Sequence, residues 1–207
     1  KKISFLTLCL LTLSLGSVVA GDPVCPISGK AVDASVTSNV NGKSVGFCCE
    51  KCQSKFEKSL DLTDSGPGEC PVSGEKAGVD TRLILAKTEA VSFCCGKCQK
   101  KYAAEHKVTA IKDDGPKKCA YSGKDADPES FVVHNGKKVY FCCDKCVAKY
   151  SKENNVLMSK KDPEKCAVSG EEADKDYVSF VTTAKAVYFC CEKCQGKYVK
   201  EQITAKL

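Results

Sequence analysis

The sequence predicts four small α+β modules in tandem, each a turn, a β-hairpin and a short helix, and each stapled through cysteine sulfur. Three observations carry this. The element "VGFCCEKCQSKF" (Val45 to Phe56) returns as "VSFCCGKCQKKY" from Val91, "VYFCCDKCVAKY" from Val139 and "VYFCCEKCQGKY" from Val187. Each copy is preceded by an opening element, "CPISGK" at Cys25, "CPVSGE" at Cys70, "CAYSGK" at Cys119 and "CAVSGE" at Cys166. The opening cysteines lie 45, 49 and 47 residues apart, a period that marks a repeated structural unit.

Within a copy the elements read in order. The Ser-Gly after each opening cysteine predicts a tight turn. Two short β-like runs follow, clearest as "SFVVHNGKKVYF", where Asn135-Gly136 is a strong two-residue hairpin signal. The first copy has Asn41-Gly42 at the matching place. The second and fourth, "LILAKTEAVSF" and "SFVTTAKAVYF", predict a hairpin with a looser turn. After the cysteine pair come helix formers, as in "EKCQSKFEKSL". Polar stretches rich in breakers, "TDSGPGE", "IKDDGPKK" and "SKKDPEK", read as linkers. The expected boundaries are residues 21–64, 65–113, 114–160 and 161–207.

Residues 1–20 are expected to be a secretory signal peptide. Lys1 and Lys2 precede an apolar run from Ile3 to Leu15, and Val18 and Ala20 stand before a cleavage point at Gly21. An uncleaved anchor is the rival, since the run approaches membrane-spanning length. A lipid-modified start at Cys9 fits less well, because Cys9 sits inside the apolar run. Export to a periplasmic or extracellular location follows, with no membrane span after signal removal. The formal charge of +6 becomes +4 without Lys1 and Lys2. Arg82 is the only arginine, and the lysines are interspersed with acids rather than gathered in a patch, which argues against a nucleic-acid partner.

Units of some 40 residues bury too little apolar surface to stand without a staple. Part of each small core is expected from the aromatic pairs Phe47 with Phe56, Phe93 with Tyr102, Phe141 with Tyr150 and Phe189 with Tyr198. The rest falls to sulfur. Of seventeen cysteines, all but Cys9 belong to the four copies: Cys25, Cys48, Cys49 and Cys52; Cys70, Cys94, Cys95 and Cys98; Cys119, Cys142, Cys143 and Cys146; Cys166, Cys190, Cys191 and Cys194. Three uses compete. Zinc takes four thiolates in a closed tetrahedral site, and cysteines spaced i, i+3 and i, i+4 at a helix start converge on one point. The helix N-terminus favours thiolate there, and Lys51, Lys97, Lys145 and Lys193 are placed to offset the charge. Disulfides are permitted by export. Adjacent cysteines hardly bridge each other, however, so each pair would need both remaining sulfurs of its unit. Redox chemistry at the C-x-x-C is the weakest reading, since the flanking βαβ pattern is missing. Haem attachment fails, because Gln53, Gln99, Val147 and Gln195 stand where it needs histidine.

The spacing Cys25…Cys48-x-x-x-Cys52, with "GFCC" before a short helix ending at Phe56, resembles the TRASH and YHS families of small metal-binding domains. The resemblance extends over all four copies. It implies treble-clef-like units, and it carries over as ligands Cys25, Cys48 and Cys52; Cys70, Cys94 and Cys98; Cys119, Cys142 and Cys146; Cys166, Cys190 and Cys194. Where relatives often carry a further cysteine, this chain has Ser28, Ser73, Ser122 and Ser169. Cys49, Cys95, Cys143 and Cys191 then read as a relocated fourth ligand. About four zinc ions per chain are expected, with Cu(I) the alternative should those four cysteines point away. The family is associated with metal sensing, trafficking and resistance.

No Ser-His-Asp order, phosphate loop or metal-hydrolase motif occurs, and the chain reads as a non-enzyme. His106 and His134 occupy non-equivalent places and read as solvent-facing. Acidic pairs such as Asp113-Asp114 and Glu171-Glu172 fall in turns and linkers. Two functions remain. The sites staple modules whose surfaces bind another protein or an envelope assembly, or they store and carry thiophilic metal.

Overall fold

The computed structural model describes residues 24–207. The expected signal peptide and Cys9 lie outside the described residues. The chain is a small α+β protein with a six-stranded mixed sheet, a separate two-stranded sheet and four helices.

The first copy closes its hairpin as expected. Strands β1 (Asp33–Val40) and β2 (Lys43–Phe47) pair antiparallel around Asn41-Gly42. Both turn residues have positive φ, 51° and 82°, as a tight two-residue hairpin requires. Gly42 is further constrained, because a Cβ there would stand 2.5 Å from a Val199 methyl. Helix α1 (Glu50–Ser59) follows directly, and the chain then adds the short strand β3 (Leu62–Thr63). The third copy repeats this plan. Strands β5 (Asp127–His134) and β6 (Lys137–Phe141) turn at Asn135-Gly136 with φ of 51° and 73°, ahead of helix α3 (Asp144–Asn154).

The second and fourth copies depart from the expected hairpin. Each runs straight through as one long strand, β4 (Arg82–Phe93) and β8 (Asp174–Tyr188), before helices α2 (Gly96–Glu105) and α4 (Glu192–Gln202). The reason is in the turn residues. Where Asn41-Gly42 and Asn135-Gly136 supply positive φ, these copies have Lys87-Thr88 and Thr183-Ala184, none of which takes positive φ readily, and the β-branched Thr88 and Thr183 suit a strand. The two long strands pair with each other, antiparallel, from Arg82↔Tyr188 to Ser92↔Val178. Lys87 pairs with Thr183, so the residues that would have turned each hairpin lie opposite one another at the centre of the ladder. Cys70 and Cys166 are 96 residues apart, as are Lys87 and Thr183, so the ladder is symmetric about that pair.

The remaining strands dock on this ladder. Val40 of β1 pairs in parallel with Ile84 of β4, and β7 (Leu157–Lys161) continues along the same strand from Lys87 to Val91. Strand β3 pairs in parallel with β8. The stretch expected as the third linker is therefore partly strand, since β7 runs into "SKK". No described helix is long and apolar enough to cross a membrane.

Burial follows the motif aromatics. Phe47, Phe93, Phe141 and Phe189 are each 0% exposed, and their rings lie 5.2, 5.2, 5.2 and 5.3 Å from Phe56, Tyr102, Tyr150 and Tyr198. Of the five buried clusters among the described residues, only the one around Phe141 stays within its own copy, and Phe47 packs with Ile84 and Ala184. Phe189 packs with Cys70 and Leu83, and Phe93 packs with Cys166 and Val168.

Candidate metal centre

Each site is assembled at a strand-to-helix junction. The second cysteine of each pair (Cys49, Cys95, Cys143, Cys191) is the residue before the helix, in extended conformation, and its carbonyl accepts the first helical bonds. The first cysteine of the pair follows the strand, and the last is the third residue of the helix. Sulfur separations are uniform. Cys48 Sγ lies 3.9 Å from Cys49 Sγ and 3.6 Å from Cys52 Sγ. The matching distances are 3.8 and 3.6 Å around Cys94, 3.9 and 3.9 Å around Cys142, and 3.8 and 3.6 Å around Cys190. Four sulfurs at the ~2.3 Å zinc–thiolate distance form a tetrahedron with edges of about 3.8 Å. The second cysteine of each pair therefore lies one such edge from the first, but among the described residues only Cys95 belongs to a group of mutually close sulfurs, with Cys94 and Cys98, while Cys49, Cys143 and Cys191 stand outside theirs.

The opening cysteines complete the clusters, in two different ways. Cys25 joins Cys48 and Cys52, and Cys119 joins Cys142 and Cys146, each within its own copy. The grouping carried over for the other two copies is overturned. Cys70 stands with Cys190 and Cys194 rather than with Cys94 and Cys98. Cys166 packs beside Cys94 and Cys98, which group with Cys95, rather than with Cys190 and Cys194. Strand length forces this. With β4 extended over twelve residues, its two ends are separated by roughly 37 Å, and the segment after Cys70 is held at the near end by Gly78 N–H on the Phe189 carbonyl, so Cys70 does not meet Cys94 at the far end. The antiparallel partner brings Cys190 to that start instead.

Three further devices follow the same partnership. Ser28 Oγ lies 3.2 Å from Cys48 Sγ and Ser122 Oγ 3.4 Å from Cys142 Sγ, both within a copy. Ser73 instead meets Cys190 at 3.4 Å, and Ser169 meets Cys94 at 3.6 Å. The glutamine after the last cysteine pins its helix to a strand. Gln53 donates to the Thr37 carbonyl, Gln99 to that of Val178 and Gln195 to that of Arg82. Backbone bonds such as Gly78 N–H to the Phe189 carbonyl and Ala167 N–H to the Ser92 carbonyl fasten each exchanged opening turn to its host. The roles of serine and glutamine were not read from the sequence, although their recurrence at fixed offsets from cysteine was a usable signal.

Electrostatics suit a cation. Burial would raise the Cys25, Cys70 and Cys166 thiols, but the hydroxyls of Ser28, Ser73 and Ser169 and nearby backbone amides outweigh it and bring each down to about 6. At Cys119 the Ser122 hydroxyl leads, again to about 6. Cys49, Cys95, Cys143 and Cys191 are all drawn below the usual thiol value, chiefly by the amide of the last cysteine, the third residue of the helix. Cys52 and Cys98 are pushed up to about 12, first by the neighbouring Cys48 and Cys94 sulfurs. All sixteen described cysteines are free, and the opening ones are buried. Lys51, Lys97, Lys145 and Lys193 are exposed.

One side chain departs from its expected surroundings. His134 is half-buried rather than solvent-facing, with Nδ1 2.8 Å from the Tyr150 hydroxyl, and burial lowers its pKa. His106 is exposed and stacks on Tyr102. Arg82 is bound to Glu57 through both terminal nitrogens and to Asp64, in a network that ties α1 to the start of β4.

No family model, curated protein or solved structure matches this chain.

Proposed function

We propose that this chain is a non-catalytic metal-binding protein that holds four zinc ions in four-cysteine sites, as a structural scaffold exported to the cell envelope and akin to the TRASH and YHS domains. Cys25, Cys48, Cys49 and Cys52 would hold one ion, and Cys119, Cys142, Cys143 and Cys146 another. Cys70 with Cys190, Cys191 and Cys194, and Cys166 with Cys94, Cys95 and Cys98, would hold the remaining two. One observation carries the reading. In four separate places, two sulfurs lie 3.6–3.9 Å from a common third, the edge length of a zinc–thiolate tetrahedron. Bound zinc would supply folding free energy to cores too small to hold alone. Exposed surfaces would then bind another protein or an envelope assembly.

A second reading, handling of zinc or Cu(I), is favoured by the exposure of Cys49, Cys143 and Cys191, which leaves one sulfur of three sites open to a competing thiol. Metal per chain, measured by inductively coupled plasma mass spectrometry on anaerobically purified protein, tests both. About four zinc per chain supports the staple. Copper, or far fewer ions, supports handling by three-thiolate sites, and neither metal nor free thiol leaves a disulfide-stapled protein.

A further inference from the structure

The four clusters differ in the path of chain that closes them. In the Cys25 and Cys119 clusters every cysteine falls within 28 consecutive residues, 25–52 and 119–146. Each is closed by a hairpin and one helix, and nothing outside its own copy supplies a sulfur. The Cys70 cluster draws on residues 120 positions away, and the Cys166 cluster on residues 72 positions away. Both lie at the ends of the β4–β8 ladder, whose Leu83, Ile84 and Val91 are at most 1% exposed.

We propose that the sites divide into two classes: the Cys25 and Cys119 sites pass metal to thiol-bearing acceptors, while the Cys70 and Cys166 sites release it only when the β4–β8 ladder opens. The proposal rests on the metal-binding reading above and divides the two functions between sites. Local opening of a hairpin and helix is a low-cost fluctuation, whereas separating the central strands of a sheet is a global one. At the Cys25 site the opening turn is itself exposed, with Ile27 41% and Val24 60% accessible, whereas at the Cys119 site Tyr121 of the turn packs on Phe141 and Tyr150 of its own copy. In the exchanged sites Val72 and Val168 of the opening turns pack into the host cores. Cys95, at one exchanged site, is the only one of the four relocated cysteines that is not exposed, and Tyr177 lies over the adjacent Gly96. Cys191 shares the exposure of Cys49 and Cys143, so the division follows from chain path and not from exposure alone. On transfer the ion passes as a divalent cation to the acceptor's sulfurs, and the protons those thiols give up are taken by the freed thiolates.

The test is stopped-flow release of zinc from the full, four-zinc chain into excess of a chromogenic chelator, with the zinc content of the same sample determined. Two ions are expected in a fast phase and two in a phase at least tenfold slower. The slow rate should rise steeply with urea, in step with hydrogen exchange of the β4 and β8 amides. The double variant Cys25→Ser, Cys119→Ser should lose the fast phase alone, and Cys70→Ser, Cys166→Ser the slow one. Should the latter chain fail to fold, the urea dependence in the unaltered chain decides. A single phase for all four ions, or a slow phase that survives Cys70→Ser, Cys166→Ser, overturns the division while leaving metal binding intact. A chain that holds neither zinc nor copper overturns the metal reading itself.

Discussion

Asn41 and Asn155 each donate a side-chain amide to the other's main-chain carbonyl, at 3.1 and 2.8 Å. Both have left-handed backbone, φ of 51° and 52°, and both are buried. Asn41 also bonds the amide and carbonyl of Ala86 on β4. One side chain thus joins the first hairpin, the end of the third helix and the central strand. Asn41→Ala is expected to cost about 2–4 kcal/mol, since buried amides and carbonyls lose partners and alanine resists positive φ. Asn41→Gly should recover only the backbone part. Urea unfolding of the three chains checks the order.

Cross-copy ligation can be counted. The double variant Cys70→Ser, Cys190→Ser removes two ligands of one site and should lose one metal ion. Cys70→Ser, Cys94→Ser touches two sites and should lose two. Equal losses from the two double variants would contradict the exchange.

Turn chemistry should redirect the exchange. Placing Asn-Gly at Lys87-Thr88 and at Thr183-Ala184 supplies positive φ where β4 and β8 now run straight. Each strand is then expected to fold back as a hairpin and return Cys70 to Cys94 and Cys166 to Cys190. The pattern of metal loss in the two cysteine double variants would invert, which mass spectrometry of loaded chains reads directly.

Serine beside sulfur predicts a displaced effect. Ser73→Ala should weaken metal at the Cys190 site by about tenfold or more, because the hydroxyl orients a ligand sulfur. The site of its sequence neighbours Cys94 and Cys98 should be unchanged. Competition with a chelator of known affinity, repeated for Ser28→Ala, gives the comparison.

Asp113 predicts a pH window. The Lys138 ammonium, then the Gly115 amide and the Tyr140 hydroxyl, hold its carboxyl down to about 2, against an ordinary value of 3.8. A folded-state value below the unfolded one adds stability above about pH 4 and loses it as pH falls toward 2. Asp113→Asn should flatten that part of the stability–pH curve, measured by thermal unfolding between pH 5 and pH 2. Its neighbour Asp114 pairs with Lys137, so this acidic pair fastens the second linker to the third hairpin.

The local parts of this fold were legible because they rest on local chemistry. Cysteines at helical spacing, aromatics beside them, and Asn-Gly turns specify geometry within a dozen residues, and the structure places those groups together. The nearness of the two cysteines of each pair was legible too, since a pair at a helix start has little freedom. Partner choice was not. The second and fourth copies carry the same cysteine pattern as the others, and only Lys87-Thr88 and Thr183-Ala184 distinguish a strand that turns from one that continues. The absence of a turn residue says that a strand runs on and not what it meets. Arg82 escaped for a related reason, since its carboxylate partners Glu57 and Asp64 come from an earlier helix and the loop beyond it.

The exchange also sets a timetable. A chain emerging from its N-terminus has all the sulfurs of its first cluster as soon as Cys52 appears, but Cys70 must wait 120 residues for Cys190. At synthesis rates of about 5–20 residues per second, that is a delay of roughly 6 to 24 s. Within that interval Cys94 waits 72 residues for Cys166, Cys70 waits to the end, and β4 lacks its longest neighbour for most of the time. Whatever guards reactive thiols and bare strand edges in the compartment where this chain is made has its work concentrated in that window, on the second copy rather than the first.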